Sequence, residues 1–152
     1  MRTLILLTVA AVTTAYGGDR EDLLNLAQKT FDAIAAHDGD ALQALFLDAD
    51  VRVASIRDDG RLNAVPIGQF AKNLGASKNK LLERMWSPKV EIDGRLASVW
   101  TPYDFHRDGQ FSHCGIDHFS FVRTANGWKI AALAYTHQTT GCAPSPLGPP
   151  KP

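Results

Sequence analysis

The sequence has no surplus of charge of either sign: sixteen Lys and Arg stand against sixteen Asp and Glu, and no run of like charge occurs. That balance speaks against the one-signed surface by which proteins hold nucleic acid or an anionic membrane. An apolar run of the roughly 20 residues needed to span a bilayer is also missing. The longest apolar stretch opens the chain, as MRTLILLTVAAVTTA, where Arg2 precedes residues 4–12 and small Thr13 and Ala15 follow. This is the pattern of a secretory signal peptide covering residues 1–15, and it predicts a secreted or periplasmic protein. No cysteine stands directly after the expected cut, so a lipid anchor is not expected. Cysteine is scarce altogether, limited to Cys114 and Cys142. In an exported chain such a pair is more often a disulfide than two reactive thiols.

What is present suits one globular domain, since 152 residues with 45% hydrophobic content can bury a single core. From Asp19 to Gly39, Leu23, Leu24, Ala27, Phe31, Ile34 and Ala35 recur at helical spacing. Asp40 is a candidate cap for a second short helix through ALQALFL, DVRVASIR alternates as a strand does, and PIGQFAKNL reads as a third helix after Pro66. Beyond Leu81 four strand-like segments are separated by Asp93-Gly94, Asp108-Gly109 and Asn126-Gly127, each a strong hairpin signal. The order predicts an α+β domain with N-terminal helices packed on a curved antiparallel sheet. The last ten residues, APSPLGPPKP, contain five prolines and little to bury, and are expected to form a disordered tail over 143–152.

The stretch GQFSHCGIDHFSF packs His113, Cys114, Asp117 and His118 into six positions. A two-residue turn at Asp108-Gly109 pairs Asp104 with His113 and Trp100 with Asp117; a like turn at Asn126-Gly127 pairs Asp117 with Thr136 and Phe119 with Ala134. Alternation then puts Trp100, Asp104, His113, Asp117, Phe119, Phe121 and Thr136 on one face, and Tyr103, Cys114, His118, Tyr135 and His137 on the other. Four ligands alternating across a sheet cannot surround one metal ion, and Cys114 and His113 point apart, which excludes them as a nucleophile and its base. A three-ligand zinc site of Cys114, His118 and His137 competes with the disulfide for the thiolate. Strict register sets Cys142 opposite Phe111, on the wrong face for Cys114, unless the chain leaves the ladder at Gly141. Asp104 across from His113 would fix the imidazole tautomer and favour its protonated form; an exposed pair near a turn is the other reading. For Asp117 the readings are an acid or base in a partly dry site and a structural hydrogen-bond network. Trp100, Tyr103, Phe119 and Thr136 are the candidate ligand contacts, with plain packing the alternative for the aromatics.

The amphipathic first helix running into HDGDALQALFLDADVRV, and the closing strands ending in GWKIAALAYT, resemble the nuclear transport factor 2-like (SnoaL-like) superfamily over residues 19–141. ASVWTPYDFHRDGQFSHCGIDHFSFVRTANGWKI is similar to a secreted subgroup labelled lumazine-binding. The resemblance implies a cone-shaped domain in which helices and a concave sheet enclose a pocket, here on the face bearing Phe119 and Phe121. The superfamily includes ketosteroid isomerases, polyketide cyclases, dehydratases and epoxide hydrolases together with pure binding domains, so it implies a pocket and not a reaction. The expectation is an exported protein that binds a small hydrophobic or aromatic molecule, without cofactor, metal, nucleic acid or membrane, and that forms a homodimer through the outer face of the sheet. The alternative is a small isomerase, dehydratase or cyclase in which Asp117 is the acid or base and His113, oriented by Asp104, its partner.

Overall fold

A computed structural model describes residues 16–150, so the expected signal peptide, 1–15, lies outside the described residues. Helix α1 (Tyr16–Ala36) buries Leu23, Ala27, Phe31 and Ile34, an apolar stripe at three- and four-residue spacing. It ends where His37 takes a positive φ of 56°, and Asp38 then caps α2 (Gly39–Ala44) by accepting the Ala41 N–H at 2.8 Å. Asp38 holds the capping role expected of Asp40, because the chain turns two residues earlier. Helix α3 (Ile67–Ala76) starts directly after Pro66 and buries Ile67, Ala71 and Leu74. Among the described residues no helix is long and apolar enough to cross a membrane.

Seven strands form one sheet: β1 (Arg52–Arg57), β2 (Leu62–Pro66), β3 (Leu81–Met85), β4 (Lys89–Asp93), β5 (Leu96–Arg107), β6 (Gln110–Thr124) and β7 (Gly127–His137). Their order is β2-β1-β7-β6-β5-β3, with β4 also on β5. All pairs are antiparallel except β1 with β7, so the sheet is mixed at one junction where a purely antiparallel one was expected. The helices cover one face, where Phe31 of α1 meets Phe119 edge-on at 6.1 Å. The start of α1 is pinned at the end of the β6–β7 hairpin: Asp19 pairs with Arg123 and accepts the Trp128 indole N–H at 3.4 Å.

Two shifts in register decide what faces the interior. Arg107 opposes Gln110 and His106 opposes Phe111, as the Asp108-Gly109 turn requires, but one extra residue, Ser112, then enters β6. Such a bulge moves every later pairing by one place. Phe105 therefore faces His113, Asp104 faces Cys114, Thr101 faces Asp117 and Trp100 faces His118. The next hairpin closes at Thr124 and Gly127 instead of turning through Asn126-Gly127, and shifts again between Ser120 and Phe121. Asp117 consequently faces Tyr135 and Phe119 faces Leu133, in place of Thr136 and Ala134. The expected pairs Asp104–His113 and Trp100–Asp117 do not form.

Gly115 sits opposite Tyr103, where a Cβ would run into the Thr136 carbonyl oxygen. Only glycine fits there. That same oxygen accepts the Tyr103 hydroxyl at 2.8 Å. On the outer face, Gly141 turns with φ of 73° and brings Cys142 back to Cys114, with which it forms a disulfide across a separation of 28 residues. Beyond it residues 143–150 form neither helix nor strand, yet Arg84 Nη1 donates to the Gly148 carbonyl at 3.0 Å.

Candidate functional site

The helices and the concave face of the sheet enclose a cavity of about 380 Å³. Its walls are apolar: Phe31 and Ile34 from α1, Ile67, Phe70 and Leu74 from α3, and Leu81, Phe105 and Leu133 from the sheet. Into it converge Glu83 from β3, His113 and Asp117 from β6 and Tyr135 from β7, with Asn63, Asn73, Ser77 and Arg107 also in the lining. Each sheet residue points inward by parity. Leu81 and Glu83 alternate with outward Leu82 and Arg84, and His113, Asp117, Phe119 and Phe121 share one face of β6.

Glu83 and Asp117 form the chemical centre. Asp117 is 2% exposed, and its Oδ2 has no hydrogen-bond partner. Burial pushes its carboxyl well above the ordinary range, only partly offset by a hydrogen bond with Glu83. Glu83 is likewise pushed well up, by burial first and then by the charge and hydrogen bond of Asp117. Glu83 retains some accessible surface because it borders the cavity, but the surrounding protein strips it of bulk water just as it does Asp117. Burial and the neighbouring acid both favour one shared proton over two charges here.

His113 faces the same cavity from the other side of Phe105. Its ring stacks on Phe105 at 4.8 Å and lies 3.9 Å from the ring of His137, and the Ser112 hydroxyl is 3.1 Å from Nδ1. Burial pushes its pKa down to about 4, helped by His137, Arg107 and Arg57. The imidazole is therefore neutral at pH 7, opposite to the protonated state expected beside Asp104. Tyr135 is raised chiefly by burial; Tyr103, raised for the same reason, has its hydroxyl committed to Thr136. The cavity thus holds a carboxylic acid able to donate a proton, a neutral imidazole able to accept one, and a phenol.

The remaining sequence candidates lie elsewhere. Asp104 is on the outer face, where Arg84 grips it through Nε at 2.9 Å and Nη2 at 2.6 Å, and His106 Nε2 is 3.4 Å away. Burial acts to raise its pKa, but the hydrogen bonds and charge of Arg84, followed by those of His106, bring it below the ordinary value. Asp104 cannot orient His113. Trp100, 49% exposed, is also outside, its ring 5.7 Å from that of His118. Phe119 is fully buried in the core, Tyr103 lies beneath His113 and Tyr135, and the Thr136 hydroxyl accepts the Ile116 N–H at 2.8 Å. None of the four expected ligand contacts lines the cavity. Tyr103 and Tyr135 face inward, contrary to expectation, because the register slip exchanges the faces of β5 and β7 relative to β6. Glu83 was missed, although the parity of LLERM, acid flanked by Leu81 and Met85 on one side, carries its signal.

No protein-family model matches the sequence, and no curated protein does. Solved structures do match in fold. A nuclear transport factor 2-like protein with a cystatin-like fold from Novosphingobium aromaticivorans aligns with a TM-score of 0.67 at 17% identity, over 84% of this chain and 86% of that one. A candidate dehydratase of the nuclear transport factor 2-like family from Streptomyces avermitilis gives 0.66 at 17% identity, over 81% and 98%. A superfamily protein from Salmonella enterica serovar Typhimurium gives 0.66 at 17% identity, over 85% and 97%. The chain has the nuclear transport factor 2-like α+β fold.

Proposed function

We propose that this chain is an exported protein that binds a small, largely apolar molecule carrying a carbonyl or hydroxyl oxygen. The observation that carries the reading is the cavity of about 380 Å³, whose apolar walls surround a few convergent polar groups. This is the usual make-up of a ligand site, within the range of about 300–1,000 Å³. A protonated Glu83–Asp117 pair would donate to the ligand oxygen. The resemblance to the subgroup labelled lumazine-binding adds one candidate, a flat heterocycle with ring carbonyls. The disulfide supports an oxidising compartment, and with it the export expected from residues 1–15. Homodimerisation through the outer face is part of the proposal, supported by the half-exposed Leu96 and Trp100 on β5.

One observation favours a second reading, an isomerase-, dehydratase- or cyclase-type enzyme: the acid pair and neutral His113 face one cavity. A carboxylic acid kept neutral at pH 7 can donate to a developing oxyanion while a base removes a proton. Native mass spectrometry of protein purified from its own host, followed by identification of what denaturation releases, tests the binding reading. A stoichiometric small molecule is expected. Should repeated gentle preparations come out empty, a retained ligand is ruled out and the released-product behaviour of an enzyme is favoured. Turnover of candidate carbonyl compounds by the wild type and its loss in Asp117→Asn would then separate the two.

A further inference from the structure

The strand ends beside His113 carry basic side chains, Arg57, Arg107 and His137, that the interior chemistry of the cavity does not use. Four neighbouring strands end there. Arg57 closes β1, opposite His137 at the end of β7; the His137 ring lies against His113 at the start of β6; and His113 opposes Phe105, two residues before Arg107 on β5. All four share the concave parity, since Val53, Leu133, Phe105 and His113 of the same strands line the cavity.

Neither arginine forms an ion pair, and the carboxylates whose charge each one feels are engaged elsewhere: Asp59, beside Arg57, is held by Arg61, and Asp108, beside Arg107, accepts from Asn79 and the Lys80 N–H. The ion pairs among the described residues are Arg61–Asp59, Arg84–Asp104, His106–Asp104 and Arg123–Asp19, and they leave Arg57 and Arg107 out. Asp58 follows Arg57, but it acts on His137 and accepts the Thr139 N–H at 3.4 Å. Arg107 lines the cavity beside His113, and the charges of both Arg107 and Arg57 are felt at His113. Between them His137 Nε2 is buried without a hydrogen-bond partner. Like charges gathered at the mouth of an apolar cavity repel one another unless an anion joins them.

The two ends of the cavity therefore ask for different things. An anionic group cannot sit beside Glu83 and Asp117, where it would add a charge to an already crowded acid pair. It can sit at the rim, where arginine offers paired donors matched to a carboxylate. We infer that the ligand is a small carboxylate with an apolar body, held with its anion at Arg57 and Arg107 and its uncharged oxygen-bearing end toward Glu83 and Asp117. This names the ligand class of the site proposed above and rests on that reading. Arg57 and Arg107 then fix which way round the molecule enters, and thereby which of its atoms meets the acid pair.

A matched pair of probes tests this: 2-naphthoate and 2-naphthamide, which share one ring system and differ in charge, titrated calorimetrically into the disulfide-bonded mature protein at pH 7. Naphthoate is expected to bind about tenfold or more tighter than the amide, the effect of a charge-assisted hydrogen bond. Arg107→Gln and Arg57→Gln should each remove most of that preference and leave amide binding within about twofold. Both arginines are exposed, and an unchanged thermal midpoint would verify that the variants fold. Equal affinity for the two probes, indifferent to either substitution, would overturn the carboxylate inference while leaving the small-molecule pocket standing. No binding of either probe would overturn both.

Discussion

The two faces of the sheet each hold a buried aspartate, and the pair teaches how to tell a structural acid from one held ready for chemistry. Asp104 is 4% exposed and Asp117 2%, so burial does not distinguish them. Partners do. Asp104 is gripped twice by Arg84 and approached by His106, and the Arg84 side chain continues to the tail beyond the disulfide. Asp117 has a second carboxyl for its neighbour, an oxygen with no partner, and a cavity in front of it. One face spends its charge on holding the chain together; the other keeps ionisable groups unsatisfied at a cost in stability, as binding and catalytic sites commonly do.

The contrast can be broken at its strongest point first. Arg84→Met leaves Asp104 as an uncompensated buried carboxylate and should cost about 3–5 kcal/mol in denaturant unfolding at pH 7, the typical penalty for removing one partner of a buried pair. Asp117→Asn, by contrast, should lose less than about 1 kcal/mol or gain stability, because it removes an ionisable group that burial opposes. Equal losses in the two variants would erase the distinction between the faces. Replacing both Cys114 and Cys142 by serine should cost about 3 kcal/mol, from the chain entropy that the bridge removes from the unfolded state. It should also make residues 143–150 accessible to protease, with affinity for cavity ligands unaltered.

The pH dependence sharpens the comparison, because the buried acids of the two faces have opposite signs. Asp104 is lowered by Arg84, so its contribution is present above about pH 4 and is lost as the pH falls through its lowered value. Glu83 and Asp117 are raised, so the folded protein retains a proton that the unfolded chain has released; stability is full below about pH 4 and declines as the pH rises through their raised values. His113 adds an acid-side loss of its own between about 6.5 and about 4. Stability curves of Glu83→Gln and Asp117→Asn should therefore be flatter than wild type on the alkaline side and unaltered in their response to Arg84→Met. The smallest effect is expected on the outer surface, where Trp100→Ala should move stability by less than about 1 kcal/mol, leave ligand affinity as it was, and weaken a dimer formed through that face in sedimentation measurements.

Much of the architecture could be read from residues alone, since Leu23, Ala27, Phe31 and Ile34 mark one helical stripe and the Asp-Gly dipeptides mark turns. The disulfide was legible too, because Gly141 supplied the departure from the ladder that Cys142 needed. What could not be read was a single inserted residue. Ser112 has no side-chain signature of a bulge, yet it exchanges the faces of everything paired across the β5–β6 hairpin. His113 and Asp117 kept their place inside, while Asp104 and Trp100 moved out and Tyr103 moved in. Glu83 escaped for a different reason: the inward parity of Leu81, Glu83 and Met85 is carried by a strand of only five residues, and LLERMWSPKVEI reads on past Trp86 and Pro88 as one longer segment.

The claim on which the functional account rests is that Glu83 and Asp117 share a proton inside the cavity. Carbon-13 NMR of the side-chain carboxyls, followed through a pH titration of the mature protein, tests it most directly. The account predicts two carboxyls that still titrate after the surface acids have ionised near pH 4, with Asp117→Asn altering the titration of Glu83. Glu83 and Asp117 both ionising together with the surface acids, each indifferent to loss of the other, would contradict it.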